Sequence, residues 1–590
     1  MTLIPRPEYP RPDFQRDHKW VNLNGPWDFD FDDENRGDRD SWHVQHEFSR
    51  QIIVPFPFQA PLSGIEDWTP HDRVWYHRTF VVPEEWADML VWLHFGAVDY
   101  EAHVFLNGTY VGSHQGGYLP FQFEISKYLQ RNAENDLTIA VYDPTTDPAI
   151  PRGKQTRETI QGIFYPRVTG LWQTVWLEAT TDIYLTKIEC TPQLLQKQAI
   201  IAIEYRAPDL GQPAPLNLVI RDNDGQVVCQ RETTTRGGGQ EISFDLPNCQ
   251  LWSPNAPNLY SVTATIADPF EGTTLDEVST YFGMREFRAE NQRIFLNGED
   301  LYLKFFLVQG YWPEGLYAAP SDDAYVNDLL NLQAYGFNGL RMHQKIEDPR
   351  FLYHCDRIGV LVWDELANGF ASTGHVLFHR NLLEMAEMVR RDYNHPSIMT
   401  WTFFNESWGA PRLTERAQQN KSVAAYAFMK GLDPTRFAND NDGWEHCRAD
   451  LDTVHMYVDN YFFNSFPLER EEIDAEDFNN LQMGRVNYVA PFAYDGTPLL
   501  ITEMGGFGFV LDGEVYGKAV AYGPLCESAE DLEERVIVQM QEWKKRASWV
   551  RGIVYTELYD QYSEVNGFLT LSRRRKFDPT RLKAVMDEIQ

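Results

Sequence analysis

The sequence is short of positive charge. Its 590 residues carry 52 Lys plus Arg against 86 Asp plus Glu, a formal net charge of −34, and such a chain repels nucleic acid and anionic membrane surfaces. The expected partner is therefore small or neutral, with no nucleic acid and no membrane. Long apolar runs are missing as well. No stretch reaches the ~18 apolar residues that span a bilayer, and the opening MTLIPRPEYPRPDF has no basic segment leading into an apolar one, so a cytoplasmic location is expected. Cysteine is scarce: the six (Cys190, Cys229, Cys249, Cys355, Cys447, Cys526) are scattered, without CxxC spacing, and read as small hydrophobes rather than a disulfide framework.

Aromatics are plentiful, at 14% of the chain with 17 Trp and 29 Tyr. Ring faces bind the C–H faces of sugars, but aromatic-rich β-sandwich cores account for most of them. A 43% hydrophobic chain of this length exceeds a single core, since domains run to roughly 150 residues.

The first segment, residues 1–180, reads as all β. Val74 to Val82, Leu90 to His94, His103 to Leu106 and Leu137 to Tyr142 are strand-like, and Asn107-Gly108 marks a tight hairpin. A jelly-roll β-sandwich is expected. Residues 181–286 continue in strands (Ile200 to Tyr205, Leu216 to Ile220, Ser261 to Ile266) around the turn Asn223-Asp224-Gly225, the size and texture of an immunoglobulin-like β-sandwich. From 287 to 590, short apolar strands alternate with amphipathic helices, which predicts parallel βα units. Eight candidate strands (Tyr302–Leu307, Gly336–Arg341, Val360–Asp364, Ile398–Phe404, Arg436–Asn439, Thr453–His455, Leu499–Glu503, Gly552–Thr556) predict a (β/α)8 TIM barrel.

Barrel active sites gather at the C-terminal ends of the strands. Polar residues collect there: Arg341 and His343 after the second strand, Asp364-Glu365 after the third, Asn405-Glu406 after the fourth, His455 and Tyr457 after the sixth, Glu503 at the seventh. Glycoside cleavage needs two carboxyl groups, one protonating the leaving oxygen and one attacking or stabilising the oxocarbenium-like centre. Glu406 and Glu503 fit that pair, and Asn405 is placed to bond a sugar hydroxyl. A single strand-end Glu is more often a salt-bridged surface group; two at these strands are not. Arg341 is read equally as a sugar contact or as the partner of Asp364 or Glu365. His343 and His455 lack metal-ligand spacing, so no metal and no cofactor are expected.

Three stretches carry a family resemblance: Asp392 to Glu406 (DYNHPSIMTWTFFNE), Asn338 to Arg341 with Asp356 to Glu365 (NGLR, DRIGVLVWDE), and Gly162 to Glu178 (GIFYPRVTGLWQTVWLE). They resemble the signatures of glycoside hydrolase family 2. The resemblance implies a retaining hydrolase with Glu406 as acid/base, Glu503 as nucleophile and Tyr457 orienting the nucleophile. The chain departs from the family pattern in three places. Only Met342 separates Arg341 from His343. Glu557 stands where relatives often place a Trp on the floor of the sugar site, read as contacting a hydroxyl or pairing with Arg551. At Glu564-Val-Asn566-Gly567 the Asn-x-Lys motif of family β-glucuronidases lacks its Lys, which disfavours glucuronides.

The leading expectation is an exo-acting β-galactosidase of the compact three-domain form, since the chain stops at Gln590 near the barrel's last helix, and a homo-oligomer is plausible. β-Galacturonidase, β-mannosidase, arabinosidase and galactofuranosidase types remain open, with Lys345, Arg167 or Lys154 as candidate grips for a uronate. A catalytically silent carbohydrate-binding protein is the alternative from another class, and Asn405, Glu406, Tyr457 and Glu503 together argue against it.

Overall fold

The computed structural model describes residues 4–157, 160–208, 213–370, 374–481 and 484–590. Alternating apolar residues build the first unit: Leu90–Phe95 buries every second side chain, as a strand with one face on a core must. A six-stranded sheet (Arg50–Val54, Gly25–Phe31, Arg73–Phe80, Asn135–Tyr142, Glu101–Leu106, Thr109–Gln115) packs on a four-stranded one (Trp20–Asn22, Val175–Thr180, Leu90–Phe95, Phe121–Glu124). Trp27, Phe29, Tyr76, Leu93 and Ile139 fill the space between them. The hairpin at Asn107-Gly108 has both residues in the left-handed region, at φ 51° and 73°, the backbone that a two-residue turn between twisted strands requires.

The second unit is a sandwich of a three-stranded sheet (Tyr184–Gln193, Gln198–Arg206, Gly239–Asp245) and a four-stranded one (Val227–Thr234, Pro215–Arg221, Tyr260–Ala267, Thr274–Phe282) over its own core of Ile201, Leu218, Val262 and Phe282. All six cysteines are free; four are buried and Cys229 and Cys249 are half-buried.

The third unit is the barrel. Its strands are β1 (Leu303–Val308), β2 (Gly339–Met342), β3 (Leu361–Glu365), β4 (Ile398–Asn405), β5 (Phe437–Asp442), β6 (Asp452–Met456), β7 (Leu499–Gly505) and β8 (Val550–Thr556). They run in the order 5-4-3-2-1-8-7-6 with parallel pairing. Between β5 and β6, His455 N donates to Gly443 O at 3.3 Å. Continuous burial along β4 and β7 reflects a sheet covered on both faces. Helices Asp322–Ala334, Pro349–Ile358, His375–Asp392, Arg416–Leu432 and Ala529–Lys545 lie outside. Among the described residues no helix is long and apolar enough to cross a membrane.

The first unit also reaches the barrel mouth. Gly153 N bonds Asn368 O at 3.0 Å, Tyr311 Oη donates to Pro166 O at 3.1 Å, and the hydroxyl of Tyr165 donates to Glu564 Oε2. The segment around residues 152–166 therefore brings Lys154 and Tyr165 to the site.

Candidate active site

Each functional side chain leaves a strand end, and several strands are irregular there. The β6–β7 ladder shifts register between Val454 and His455, after which His455 pairs with Glu503; such shifts re-aim side chains. Glu406 and Ser407 follow β4 at φ 50° and 63°, a conformation that non-glycine residues adopt at a cost and that clusters at functional sites. Glu406 N donates to Asp442 O at 2.9 Å, fixing that turn. Gly443, at φ 99°, has no room for a side chain: a Cβ would stand 2.7 Å from the His455 ring.

Arg341, fully buried, organises the carboxylates. Its Nε donates to Glu365 Oε2 at 2.8 Å, Nη2 to Asn405 Oδ1 at 2.7 Å, and Nη1 lies 2.5 Å from Asp442 Oδ2 and 3.3 Å from Glu503 Oε1. Tyr457 Oη donates to Glu503 Oε2 at 2.7 Å, and its ring stacks on Tyr522 with centroids 3.9 Å apart. His455 spans the centre: Nδ1 is 2.8 Å from Glu406 Oε1, Nε2 is 2.8 Å from Asp442 Oδ2, and Nδ1 is 3.4 Å from Glu503 Oε2. Single ligand-type atoms of Glu406, His455 and Glu503 all lie within 4.8 Å of one another. Among the described residues, this is the one group of three or more His, Cys, Asp or Glu side chains close enough to be weighed as an ion site. Its hydrogen bonds already account for the closeness.

Burial would lower the pKa of His455, but the charge of Glu503 and the hydrogen bonds to Asp442 and Glu406 prevail and raise it to about 10. Burial pushes Glu406 upward, yet the hydrogen bond and charge of His455, followed by Lys154 and Arg341, bring its carboxyl below the usual value. With no substrate, the proton of this pair sits on the histidine. Asp442 is also pulled down, against its burial, by Arg341 and His455. His343 is pushed well below its ordinary value by burial and by the charges of Lys154 and Arg341, and it lies 2.7 Å from Glu365. A neutral imidazole here can donate or accept a sugar hydroxyl bond.

A second group lies around Glu557. Both its oxygens are buried without a well-formed hydrogen bond, and burial plus the charge of Glu564 drive its pKa well up, opposed by Lys154 and by the Gln309 amide. A protonated carboxyl can donate as well as accept. The Lys154 ammonium stands 5.6 Å from the centre of the Tyr165 ring and acts electrostatically on Glu406, His343 and Glu557.

The structure brings Arg341, His343, Asn405, Glu406, His455, Tyr457 and Glu503 together, but Asp364 does not join them. Adjacent strand residues face opposite sides. Glu365 turns inward to Arg341, so Asp364 faces the helix layer, where burial and the charge of Asp392 raise its pKa and Arg391 opposes. Glu557 does not pair with Arg551, which bonds Asp300 at 2.8 Å near the start of β8. Two of the three proposed uronate grips are engaged elsewhere. Lys345 is enclosed by Trp172, Trp312 and Tyr317 and held at 2.5 Å by Glu347; Arg167 pairs with Asp143 and Asp72. Lys154 alone of the three acts on the site residues. Asp442 and Tyr522 enter without having been singled out by sequence, while Glu365, one of the two carboxylates weighed as a partner of Arg341, is that partner.

Three family models match in succession: the sugar-binding domain of glycosyl hydrolases family 2 over residues 20–164, a family 2 domain over 183–285 and the family 2 TIM barrel domain over 288–481. The chain belongs to glycoside hydrolase family 2. It is a glycoside hydrolase, of the exo-acting β-glycoside class. Among family 2 relatives, the β-glucuronidase of Homo sapiens is 27% identical over 558 residues, 84% of this chain and 82% of that one. The β-glucuronidase of Paenibacillus borealis is 27% identical over 435 residues, 68% and 69% of the two chains. The fold is shared with the β-glucuronidase of Ruminococcus gnavus at a TM-score of 0.78 and 21% identity, covering 99% of this chain and 100% of that one. The expected β-galactosidase specificity thus finds no support among these family 2 members.

Proposed function

We propose that the chain hydrolyses terminal β-glycosides with net retention, Glu503 attacking the anomeric carbon while Glu406 protonates the leaving oxygen and later deprotonates water. The observation that carries this reading is the approach of a Glu406 oxygen to one of Glu503 within 4.8 Å; retaining enzymes hold their carboxyl groups about 5–5.5 Å apart, too close for an intervening water. Arg341 Nη1 and Tyr457 Oη each donate to a Glu503 oxygen and so hold the carboxylate in place for attack. Glu406 receives its proton when substrate excludes water from the pair it forms with His455.

For the sugar we favour a uronic acid. Lys154 supplies the ammonium that a C5 carboxylate needs, and the named relatives are β-glucuronidases. The family's Asn-x-Lys lysine is replaced by Phe568, which is buried against Phe306 and Tyr555, so Lys154 would serve from the first unit. A second reading, a neutral sugar, is favoured by Glu557 and Glu564, whose carboxyls suit hydroxyls better than a uronate.

A panel of nitrophenyl β-glucuronide, β-galacturonide, β-galactoside, β-mannoside and α-arabinofuranoside tests both. Preference for the uronides, with Lys154→Gln lowering their kcat/KM about 10- to 150-fold, the worth of a charged hydrogen bond, supports the uronidase. Preference for neutral sugars supports the second reading. Full activity in Glu406→Gln or Glu503→Gln, or an inverted first product by NMR, would overturn the mechanism.

A further inference from the structure

We infer that this chain carries a built seat for a ring-bearing leaving group, formed by Phe164, Phe370 and Trp408 beside Glu406. The inference rests on the reading of Glu406 as the acid. An acid stands on the leaving-group side of the bond it cleaves, so whatever flanks Glu406 meets the leaving group. Trp408 follows two residues after it, in a turn closed by Trp408 N donating to Asn405 O at 2.7 Å. Three rings from separate segments converge there. Phe164, from the strap of the first unit, stacks on Trp408 with centroids 6.2 Å apart and 21° between planes. Phe370, after β3, meets Trp408 edge-on at 5.0 Å and Phe164 at 5.7 Å. Trp408 is buried, but Phe370 is 47% exposed, an apolar ring face left in solvent at the rim of a polar site.

A second aromatic group lies near the same acid: Trp444 packs 5.5 Å from the His455 ring, with the Arg485 guanidinium 5.0 Å from its ring centre. Glu406 thus has Trp408 in its own turn and Trp444 against the His455 ring to which it is bonded. The chemistry this recognises is a ring with an apolar face, supplied either by the next sugar of an oligosaccharide or by an aryl aglycone. A short alkyl leaving group would leave the Phe370 face uncovered.

The test compares methyl and benzyl glycosides, whose alcohols are of similar acidity, with a β-linked disaccharide, each bearing the sugar cleaved best. Wild type is expected to favour the benzyl glycoside over the methyl in kcat/KM by about tenfold, the scale of one ring-on-ring contact plus its burial. Phe370→Ala and Phe164→Ala are expected to reduce that ratio to within about twofold. If the disaccharide shares the preference and its loss, the seat takes sugars; if only the benzyl glycoside does, it takes aryl aglycones. Equal kcat/KM for methyl and ring-bearing substrates, or a ratio untouched by both substitutions, overturns the inference. Absence of turnover on every glycoside fails the hydrolase reading separately. The seat is then read by saturation-transfer NMR on Glu503→Gln with benzyl glycoside: transfer to the aglycone ring that falls in Phe370→Ala supports it, and no such transfer overturns it.

Discussion

Two parts of one site are built on opposite principles. Around Arg341 the polar groups are saturated: Glu365, Asp442, Glu503, Asn405, His455 and Tyr457 bond one another in a closed network. Around Glu557 they are not: neither carboxyl oxygen makes a well-formed hydrogen bond, and the Gln309 amide beside them is the side chain whose hydrogen bonding bears on the carboxyl. Buried polar groups without partners cost stability, and those that line a cleft can regain a bond from a ligand. On the proposed mechanism the saturated part holds the groups that act on any glycosidic bond, and the second part would be where one sugar is told from another.

The largest break of that contrast is at Arg341. Arg341→Met leaves Glu365 without its cation and Asp442 and Glu503 with only the His455 imidazolium between them, and removing one partner of a buried ion network costs roughly 3–5 kcal/mol. Denaturant titration should show that loss together with near-complete loss of turnover; an unfolding midpoint close to wild type would show that the network is not what holds the site.

Asp442→Asn is milder and separates chemistry from structure. It weakens the anchor of His455 Nε2, so the proton shared with Glu406 is held less well. For glycosides with poor leaving groups, kcat/KM should fall about a hundredfold, within the usual worth of general acid catalysis, and dinitrophenyl glycosides, which need little protonation, should lose far less. Equal losses on both would assign Asp442 a purely structural part. The stability profile carries a sign as well. His455 has its folded pKa raised to about 10, so its contribution is complete below the unfolded value of ~6.5 and disappears as pH rises through about 10. Melting temperatures should fall over that window, and less steeply in Asp442→Asn.

The saturated part was largely legible in the sequence. Glu406 and Glu503 stand at the ends of β4 and β7, and apolar runs with clear breaks placed those strands closely, so their position at the barrel mouth could be read from the sequence. Asp442 was missed because strand β5 was expected to end at Asn439; the run Asn439-Asp-Asn-Asp442 looks like a loop, and only the pairing of Asn405 with Asp442 extends it. Asp364 was misplaced for a related reason. At a strand end, an error of one residue exchanges inside for outside, and the sequence Asp364-Glu365 offers a carboxylate on either face. Lys154 and Tyr165 meet the barrel from the first unit and Tyr522 from the loop after β7; Lys154 was named only as one of three candidate cations, and no local pattern announces such contacts. The rings of Phe164 and Trp408 lay within or beside recognised motifs, but their mutual contact depends on how the first unit docks.

The smallest expected effect bears most directly on the unsaturated part. Glu557 has its folded pKa well above that of the unfolded chain, so the native state holds a proton that the unfolded state releases once pH exceeds ~4.5. Above that point wild type loses stability as pH rises, until the folded group itself ionises. Glu557→Gln keeps the shape of the protonated carboxyl without releasing a proton, so its melting temperature should match wild type near pH 4 and exceed it by a growing margin from pH 5 to 8. A margin that stays constant with pH would mean that Glu557 is an ordinary ionised carboxylate paired with Lys154. That would move this part of the site toward the saturated kind and remove the free ammonium on which uronate recognition depends.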